Sequence, residues 1–278
     1  MKTITTIPMY LLLTATLALA ACGGERAGES ADGAAGPAEP AAADTPTAAV
    51  QETAPADLAT LLARESRSQA DRDRDAGRKP AEVIDVLGIE PGMNVIDIIA
   101  ASGWYTEVLS LAVGPNGHVV SQNPPSVLQR RDGANEKALS ERLADNRLPN
   151  VSRLDKDIEE LVPEDGPFDA AITALNLHDI YNRGGEEAAV GMMLAVYSVL
   201  KPGGVFGVID HQGLADQDNA ALHRMVKADA IRVAEAAGFV VETDSGILHH
   251  HSDDMTAHMR DIERGHTHRF LLKLRKPE

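Results

Sequence analysis

The sequence has almost no cysteine, few aromatic residues and too little positive charge to balance its acids. Cys22 is the only cysteine, which excludes a disulfide framework and a zinc site built on cysteines. Aromatic residues make up 3% of the chain, so the core is expected to consist mainly of aliphatic side chains. The 26 Lys and Arg face 42 Asp and Glu, which leaves a net charge of −16. Such a surface repels phosphate backbones, and we do not expect a nucleic-acid partner.

The first 56 residues are interpreted as a secretory signal followed by a tether. Residues 1–21 have the short basic start and apolar stretch of a secretory signal. Leu19-Ala20-Ala21-Cys22-Gly23 resembles the lipobox of bacterial lipoproteins, whose cysteine is lipidated after cleavage. The alternative is an ordinary signal peptide beside an unrelated cysteine. The resemblance implies a membrane anchor through Cys22, outside the cytoplasm, at the periplasmic face of the outer membrane. Residues 22–56 are rich in Ala, Gly and Pro, a composition typical of a disordered tether.

Residues 57–278 are predicted to form one folded domain in which strands and helices alternate. Helices are expected at 58–78, 81–87, 104–112, 135–145, 186–200 and 223–237. Strands are expected at 95–99, 117–122, 151–154, 168–175, 205–209, 239–243 and 270–274. This alternation favours an α/β fold with a doubly wound, mostly parallel, seven-stranded sheet. Ligands of such sheets bind beyond the carboxyl ends of the strands.

Four segments in order resemble the motifs of class I S-adenosylmethionine-dependent methyltransferases. They are Val95-Ile96-Asp97-Ile98-Ile99-Ala100-Ala101-Ser102-Gly103, Asp157-Ile158-Glu159-Glu160, Phe168-Asp169-Ala170-Ala171 and Leu200-Lys201-Pro202-Gly203-Gly204. Asn176-Leu177-His178-Asp179 and Asp210-His211 narrow the resemblance to secreted or lipid-anchored predicted methyltransferases. The resemblance implies a Rossmann-like methyltransferase fold, S-adenosylmethionine as cofactor and a small molecule as methyl acceptor. It places cofactor contacts at Asp97, Ile99, Ala101, Gly103, Asn123, Asp157 and Asn176.

Two of these positions depart from the family pattern. The family's glycines in the first turn correspond here to Ile99, Ala101 and Gly103, and a β-branched residue resists the positive φ that glycine accepts. Ile99 would also occupy the place of the cofactor's methionine part, so Ile99→Gly is expected to improve cofactor affinity. Asn123 stands where the family has an acid that binds the ribose hydroxyls.

The catalytic candidates are histidines and acids that follow the fourth and fifth strands. His178 is the expected general base, because an imidazole titrates near neutral pH, and Asp179 is expected to orient it. His211 and His223 are expected to contact the substrate, and Arg224 is a candidate for holding an anionic one.

Two other interpretations of the same residues remain open. His178 could instead cap a helix, and the fold could have lost its cofactor. The protein would then be a metal-assisted His/Asp enzyme or a lipoprotein that binds a small ligand. No metal site is assigned. His249-His250-His251 is interpreted as a solvated loop, and the oligomeric state is left open.

Overall fold

The computed structural model describes residues 57–278, and the predicted signal and tether lie outside the described residues. The helices are α1 Leu58–Leu62, α2 Gln69–Arg78, α3 Pro80–Leu87, α4 Trp104–Val113, α5 Pro125–Leu128, α6 Arg130–Leu143, α7 Leu177–Val199, α8 Asn219–Leu222 and α9 Lys227–Ala236. The strands are β1 Asn94–Ile98, β2 His118–Gln122, β3 Val151–Leu154, β4 Phe168–Ala174, β5 Leu200–Gly213, β6 Met225–Val226, β7 Val240–Ser245 and β8 Arg269–Arg275.

The sheet has the order β3-β2-β1-β4-β5-β8-β7, and the two-residue strand β6 pairs with the end of β5. All neighbours from β3 to β5 are parallel, whereas β8 runs antiparallel to both β5 and β7. The predicted mostly parallel, doubly wound sheet is therefore confirmed. The carboxyl ends of β1 and β4 lie side by side near the point where the strand order reverses, and this is where such sheets bind ligands.

Both faces of the sheet are buried, as the apolar residues on both faces of β1 require. Ile96 and Ile98 pack into one core with α7 and α9, while Val95 packs into the opposite core with α3 and α4. Adjacent residues of a strand point to opposite faces, so an unbroken run of apolar residues fits a strand covered on both sides. No helix within residues 57–278 has the length and apolar character needed to span a membrane.

Several helix boundaries differ from the prediction. The predicted helix 58–78 is interrupted between α1 and α2. The predicted helix 186–200 begins nine residues earlier, at Leu177, with a break at Gly185 (φ 72°). The segment predicted as a helix from residue 223 contains β6, and His223 itself ends α8 in the left-handed conformation (φ 52°). His178 consequently lies in the first turn of α7, which fixes it at the end of β4.

Candidate active site

The turn that leaves β1, residues 99–103, keeps a backbone shape that normally calls for glycine. Ile99 has φ 55°, Ala101 φ 52° and Gly103 φ 75°. A left-handed conformation costs a residue with a side chain roughly 1–2 kcal/mol. Ile99 and Ala101 therefore do not prevent the turn, although they make it costlier. We call this segment the β1 turn.

Amide side chains from the ends of β2 and β4 compensate for the strain in the β1 turn. The backbone N–H of Ile99 donates to Gln122 Oε1 at 3.0 Å, and that of Ala101 donates to Asn123 Oδ1 at 2.7 Å. Asn176 Nδ2 donates to the carbonyl of Ile99 at 3.4 Å. Such bonds to buried backbone groups contribute about 1 kcal/mol each, with a larger penalty if they are left unmade.

The structure gives Asn123 a role different from the expected ribose contact. Its side chain is completely buried, and both of its polar ends are directed at Ala101, since Nδ2 also lies 3.5 Å from the Ala101 carbonyl. The amide holds the β1 turn and does not face a cavity. Asp157 is exposed after β3, where its backbone N–H donates to Glu160 Oε2 at 3.2 Å.

A small hollow of about 90 Å³ lies against the β1 turn, and we call it the turn hollow. Asp97, Ile99, Ala101, Asn176 and Arg78 are among the residues that line it. Asp97 is buried and accepts a hydrogen bond from Thr106 Oγ1 at 2.7 Å. Burial raises the pKa of Asp97 to about 7, although the bond from Thr106 and the charge of Arg78 oppose this.

Helix α2, which forms the second half of the predicted helix 58–78, covers the turn hollow with arginines. The Arg78 guanidinium lies 4.6 Å from the centre of the Trp104 ring and 5.8 Å from that of Tyr105, a cation–π arrangement. Arg74 and Arg78 also line a larger cavity of about 630 Å³, which we call the arginine cavity. One feature of the sequence indicates this role: Arg74 and Arg78 are four residues apart and so lie on the same helix face.

The ends of β4 and β5 bring the four predicted catalytic residues together with Asp210. We call this group the histidine rim; it consists of His178, Asp179, Asp210, His211 and His223. His178 Nδ1 lies 2.6 Å from Asp210 Oδ1, and its backbone N–H donates to Asp210 Oδ2 at 2.8 Å. The backbone N–H of His211 donates to the same carboxylate at 2.8 Å. Asp210, which is fully buried, therefore orients His178, whereas the sequence suggested Asp179.

Burial and the carboxylate of Asp210 together determine the pKa values of His178 and His211. Burial alone lowers the pKa of His178, but the charge of Asp210 and its hydrogen bond outweigh burial, so the pKa is raised overall. Burial would also raise the pKa of Asp210, yet His178 holds it below the ordinary value. His211 differs: burial lowers its pKa to about 3, so its ring is neutral at pH 7. Neither ring nitrogen of His211 has a hydrogen-bond partner within residues 57–278.

Asp179 lies between two histidines on the more open side of the histidine rim. Its Oδ1 is 3.8 Å from His178 Nε2 and 3.5 Å from His223 Nδ1. Arg183 also approaches this oxygen, at 3.1 Å, from an exposed position. One donor atom from each of His178, Asp179 and His223 lies within 4.8 Å of the other two.

Arg224 does not serve as a substrate-binding residue, contrary to the expectation from the sequence. Its side chain is completely buried and pairs with Asp253 at 2.9 Å. Its other donors bond to the carbonyls of Gln212 and Ala257, both at 3.0 Å. With these donors taken, Arg224 connects three segments of the fold and has no free face for a ligand.

Comparisons with known proteins agree with this geometry. Residues 72–182 match the protein-L-isoaspartate(D-aspartate) O-methyltransferase family. A solved S-adenosylmethionine-dependent methyltransferase from Aquifex aeolicus has a TM-score of 0.54 at 18% identity, over 75% of this chain and 95% of that one. The family match, the relatives and the fold together support a class I S-adenosylmethionine-dependent methyltransferase. The fold alone does not specify a reaction, since the [4+2]-cyclase SpnF has the same TM-score of 0.54, at 17% identity, over 80% and 93% of the two chains.

Two curated relatives are similar to this chain in sequence. The ubiquinone/menaquinone biosynthesis C-methyltransferase UbiE of Idiomarina loihiensis is 28% identical over 177 residues, and that of Ectopseudomonas mendocina is 27% identical over 176. Each alignment covers 63% of this chain, and the chain spans 64% and 62% of the two relatives. These matches leave the acceptor undetermined.

The backbone conformation of the β1 turn fits S-adenosylmethionine, the cofactor of this family. Residues 99, 101 and 103 have the left-handed conformations for which the family uses glycine, and the turn hollow opens beside them. Asp97, Ile99, Ala101 and Asn176, four of the predicted cofactor contacts, line that hollow and would hold the cofactor. The position of Asn123 does not contribute, because its amide is already bonded to the β1 turn.

Proposed function

We propose that this protein transfers a methyl group from S-adenosylmethionine to a small molecule while anchored to a membrane through Cys22, outside the cytoplasm. The observation that carries the proposal is the strained β1 turn: the left-handed residues Ile99 and Ala101 are held in place by Gln122, Asn123 and Asn176 beside a hollow. Backbone strain of this kind persists where the surrounding structure enforces it, and it concentrates at functional sites. The anchor rests on the Leu19–Gly23 sequence alone.

The histidine rim supplies the proton chemistry in this proposal. When bound, the cofactor provides the electrophilic methyl group, and the acceptor must lose a proton if it reacts through a hydroxyl or amine. His178 takes that proton at Nε2, because Nδ1 is engaged by Asp210. Asp210 both fixes the ring and stabilises the imidazolium that forms. Asp179 lies 3.8 Å from Nε2 and adds to this stabilisation, while His211 and His223 contact the acceptor.

Cofactor binding tests the proposal without knowledge of the acceptor. Isothermal titration of the full chain in detergent with S-adenosylhomocysteine is expected to give a Kd in the micromolar range, about −8 kcal/mol. Ile99→Gly is expected to tighten binding, because it removes a branched side chain from the turn hollow. Asp97→Asn is expected to weaken binding, because Asp97 lines the turn hollow, and Asp145→Asn is its matched control, since Asp145 is exposed and lies outside that hollow. A wild-type Kd weaker than millimolar would reject cofactor binding and favour a small-ligand binding protein.

A second candidate function, metal-assisted chemistry, is favoured by one observation. His178, Asp179 and His223 place three donor atoms within 4.8 Å, and Asp210 bonds the other nitrogen of His178. Histidine ligands of metals commonly have such a carboxylate partner. Titration with zinc or nickel should then show binding that His223→Ala abolishes and His250→Ala preserves. Absence of heat at micromolar metal would eliminate this candidate.

A further inference from the structure

The arginine cavity lies between α2, residues 259–269 and the histidine rim. Its volume of about 630 Å³ is within the range of small-molecule sites, about 300–1,000 Å³. His211 contributes to its wall, and Arg74 and Arg78 line both this cavity and the turn hollow. The ring centres of His211 and His178 are 5.8 Å apart. A molecule in this cavity therefore contacts His211, whose ring neighbours that of the expected base His178, and it shares Arg74 and Arg78 with the turn hollow.

The charge of this cavity is opposite to that of the protein. Its lining contains Arg74, Arg78, Arg260, Arg264 and Arg269, against two acids, Asp73 and Glu263. The chain as a whole has a net charge of −16. A concentration of guanidinium groups in one cavity of so acidic a protein calls for an explanation beyond general surface charge.

Most of these guanidinium groups have no anionic partner in the fold. Arg269 is used structurally, since it donates to the carbonyls of Gly77 and Gly265 at 2.5 and 2.8 Å. Within residues 57–278, the side chains of Arg78, Arg260 and Arg264 form no hydrogen bond or ion pair by the usual distance criteria. Arg74 has only a 3.5 Å contact with Asp71, and its buried Nε has no partner.

The like charges also disfavour one another. Burial, together with the charges of Arg78 and Arg264, lowers the pKa of Arg74 to about 9. Burial and Arg264 lower the pKa of Arg78 as well. A bound anion would relieve this repulsion, and planar guanidinium groups match carboxylate and phosphate oxygens.

We propose that the methyl acceptor is a small oxyanion, a carboxylate or a phosphate ester, held in the arginine cavity by Arg74 and Arg264. This inference rests on the proposed function, because the bound anion is a methyl acceptor only if the protein transfers methyl groups. Arg74 and Arg78 line both hollows, so substitutions at either are expected to affect the cofactor and the acceptor together. Arg264 lines only the arginine cavity and is exposed, which makes it the cleaner position for a test.

The test measures anion and cofactor binding separately on the full chain in detergent. Malonate and inorganic phosphate are the anionic probes, malonamide is the neutral counterpart of malonate, and S-adenosylhomocysteine reports on the cofactor site. At least one anion is expected to bind with a Kd of about 1 mM or tighter, with no binding of malonamide. Arg264→Gln and Arg74→Gln should each weaken that anion roughly tenfold or more, as expected for loss of a charge-assisted hydrogen bond. Arg130→Gln, at an exposed site outside the cavity, should change nothing.

The outcomes separate this inference from the proposed function. Failure of both anions to bind, equal binding of malonamide, or unchanged anion affinity in Arg264→Gln would overturn the anion site. A parallel loss of S-adenosylhomocysteine affinity in Arg264→Gln would assign the arginines to the cofactor and overturn their assignment to the acceptor. Anion binding by a wild-type chain that does not bind S-adenosylhomocysteine would leave the anion site standing while rejecting methyl transfer. Preference for phosphate over malonate would specify a phosphate ester.

Discussion

Replacing Asp97 by Asn should change how the stability of the protein depends on pH. The carboxyl is buried behind the turn hollow, and burial raises its pKa from 3.8 to about 7. Asn keeps the size of the side chain and an oxygen that accepts the 2.7 Å bond from Thr106, but it cannot ionise. The substitution therefore isolates the cost of placing a negative charge at this position.

The sign and size of the effect follow from the two pKa values. At pH values between the unfolded pKa of 3.8 and the folded pKa of about 7, the native state binds more protons than the unfolded state. The contribution of Asp97 to stability is therefore present at low pH and is lost as pH rises through 7. A difference of roughly three pKa units corresponds to about 4 kcal/mol in total. Because part of the loss has occurred by pH 5, the stability of the wild type relative to Asp97→Asn should fall by about 3 kcal/mol between pH 5 and pH 8.

Urea unfolding followed by circular dichroism at pH 5, 6, 7 and 8 measures this difference. Asp169→Asn is a suitable control, because burial of Asp169 is outweighed by hydrogen bonds from Lys201 and Asn94, which lower its pKa. Its contribution should be constant over this pH range. A wild-type minus Asp97→Asn difference that stays within about 0.5 kcal/mol from pH 5 to pH 8 would refute the reasoning that burial keeps Asp97 protonated.

Three other substitutions have directions that the structure fixes. Arg224→Ala leaves Asp253 buried without its partner and should destabilise the fold by about 3–5 kcal/mol in urea unfolding, while a loss below 1 kcal/mol would contradict a structural role. Ala101→Gly relieves a left-handed alanine and should stabilise by about 1 kcal/mol, and a lower Tm would show that the methyl group packs favourably. Asn123→Ala leaves the backbone N–H of Ala101 unbonded and should cost about 1–3 kcal/mol, and an unchanged Tm would show that the amide does not hold the turn.

The sequence was sufficient to predict the strands and the edge of the sheet at which the candidate site lies. Apolar runs such as residues 205–209 indicate strands buried on both faces, and parallel strands place their carboxyl ends together. The histidine rim follows from these two facts, because His178 comes after β4 and His211 lies near the end of β5. Element boundaries were less accurate, since breaks such as that at Gly185 depend on packing against the rest of the fold.

The partners of the polar groups could not be predicted, because they join residues far apart in the chain. Asp210 and His178 are separated by 32 positions, and Asn123 and Ala101 by 22. Spacing cannot show which carboxylate reaches an imidazole, so Asp179, the sequence neighbour, was the wrong orienting residue. Arg78 was overlooked for a similar reason: a helix with alternating charges is usually a solvated one, and only the tertiary structure shows that α2 covers the site.

The network of amides around the β1 turn has a consequence for how the pocket meets its ligand. Gln122, Asn123 and Asn176 hold the segment from two neighbouring strands, so the loop behaves as an extension of the sheet. Amide protons of Ile99 and Ala101 should therefore exchange with deuterium as slowly as those of β1, since exchange there requires opening of the sheet edge. A binding partner entering a preorganised loop loses little affinity to ordering it, and its complex should form without slow rearrangement.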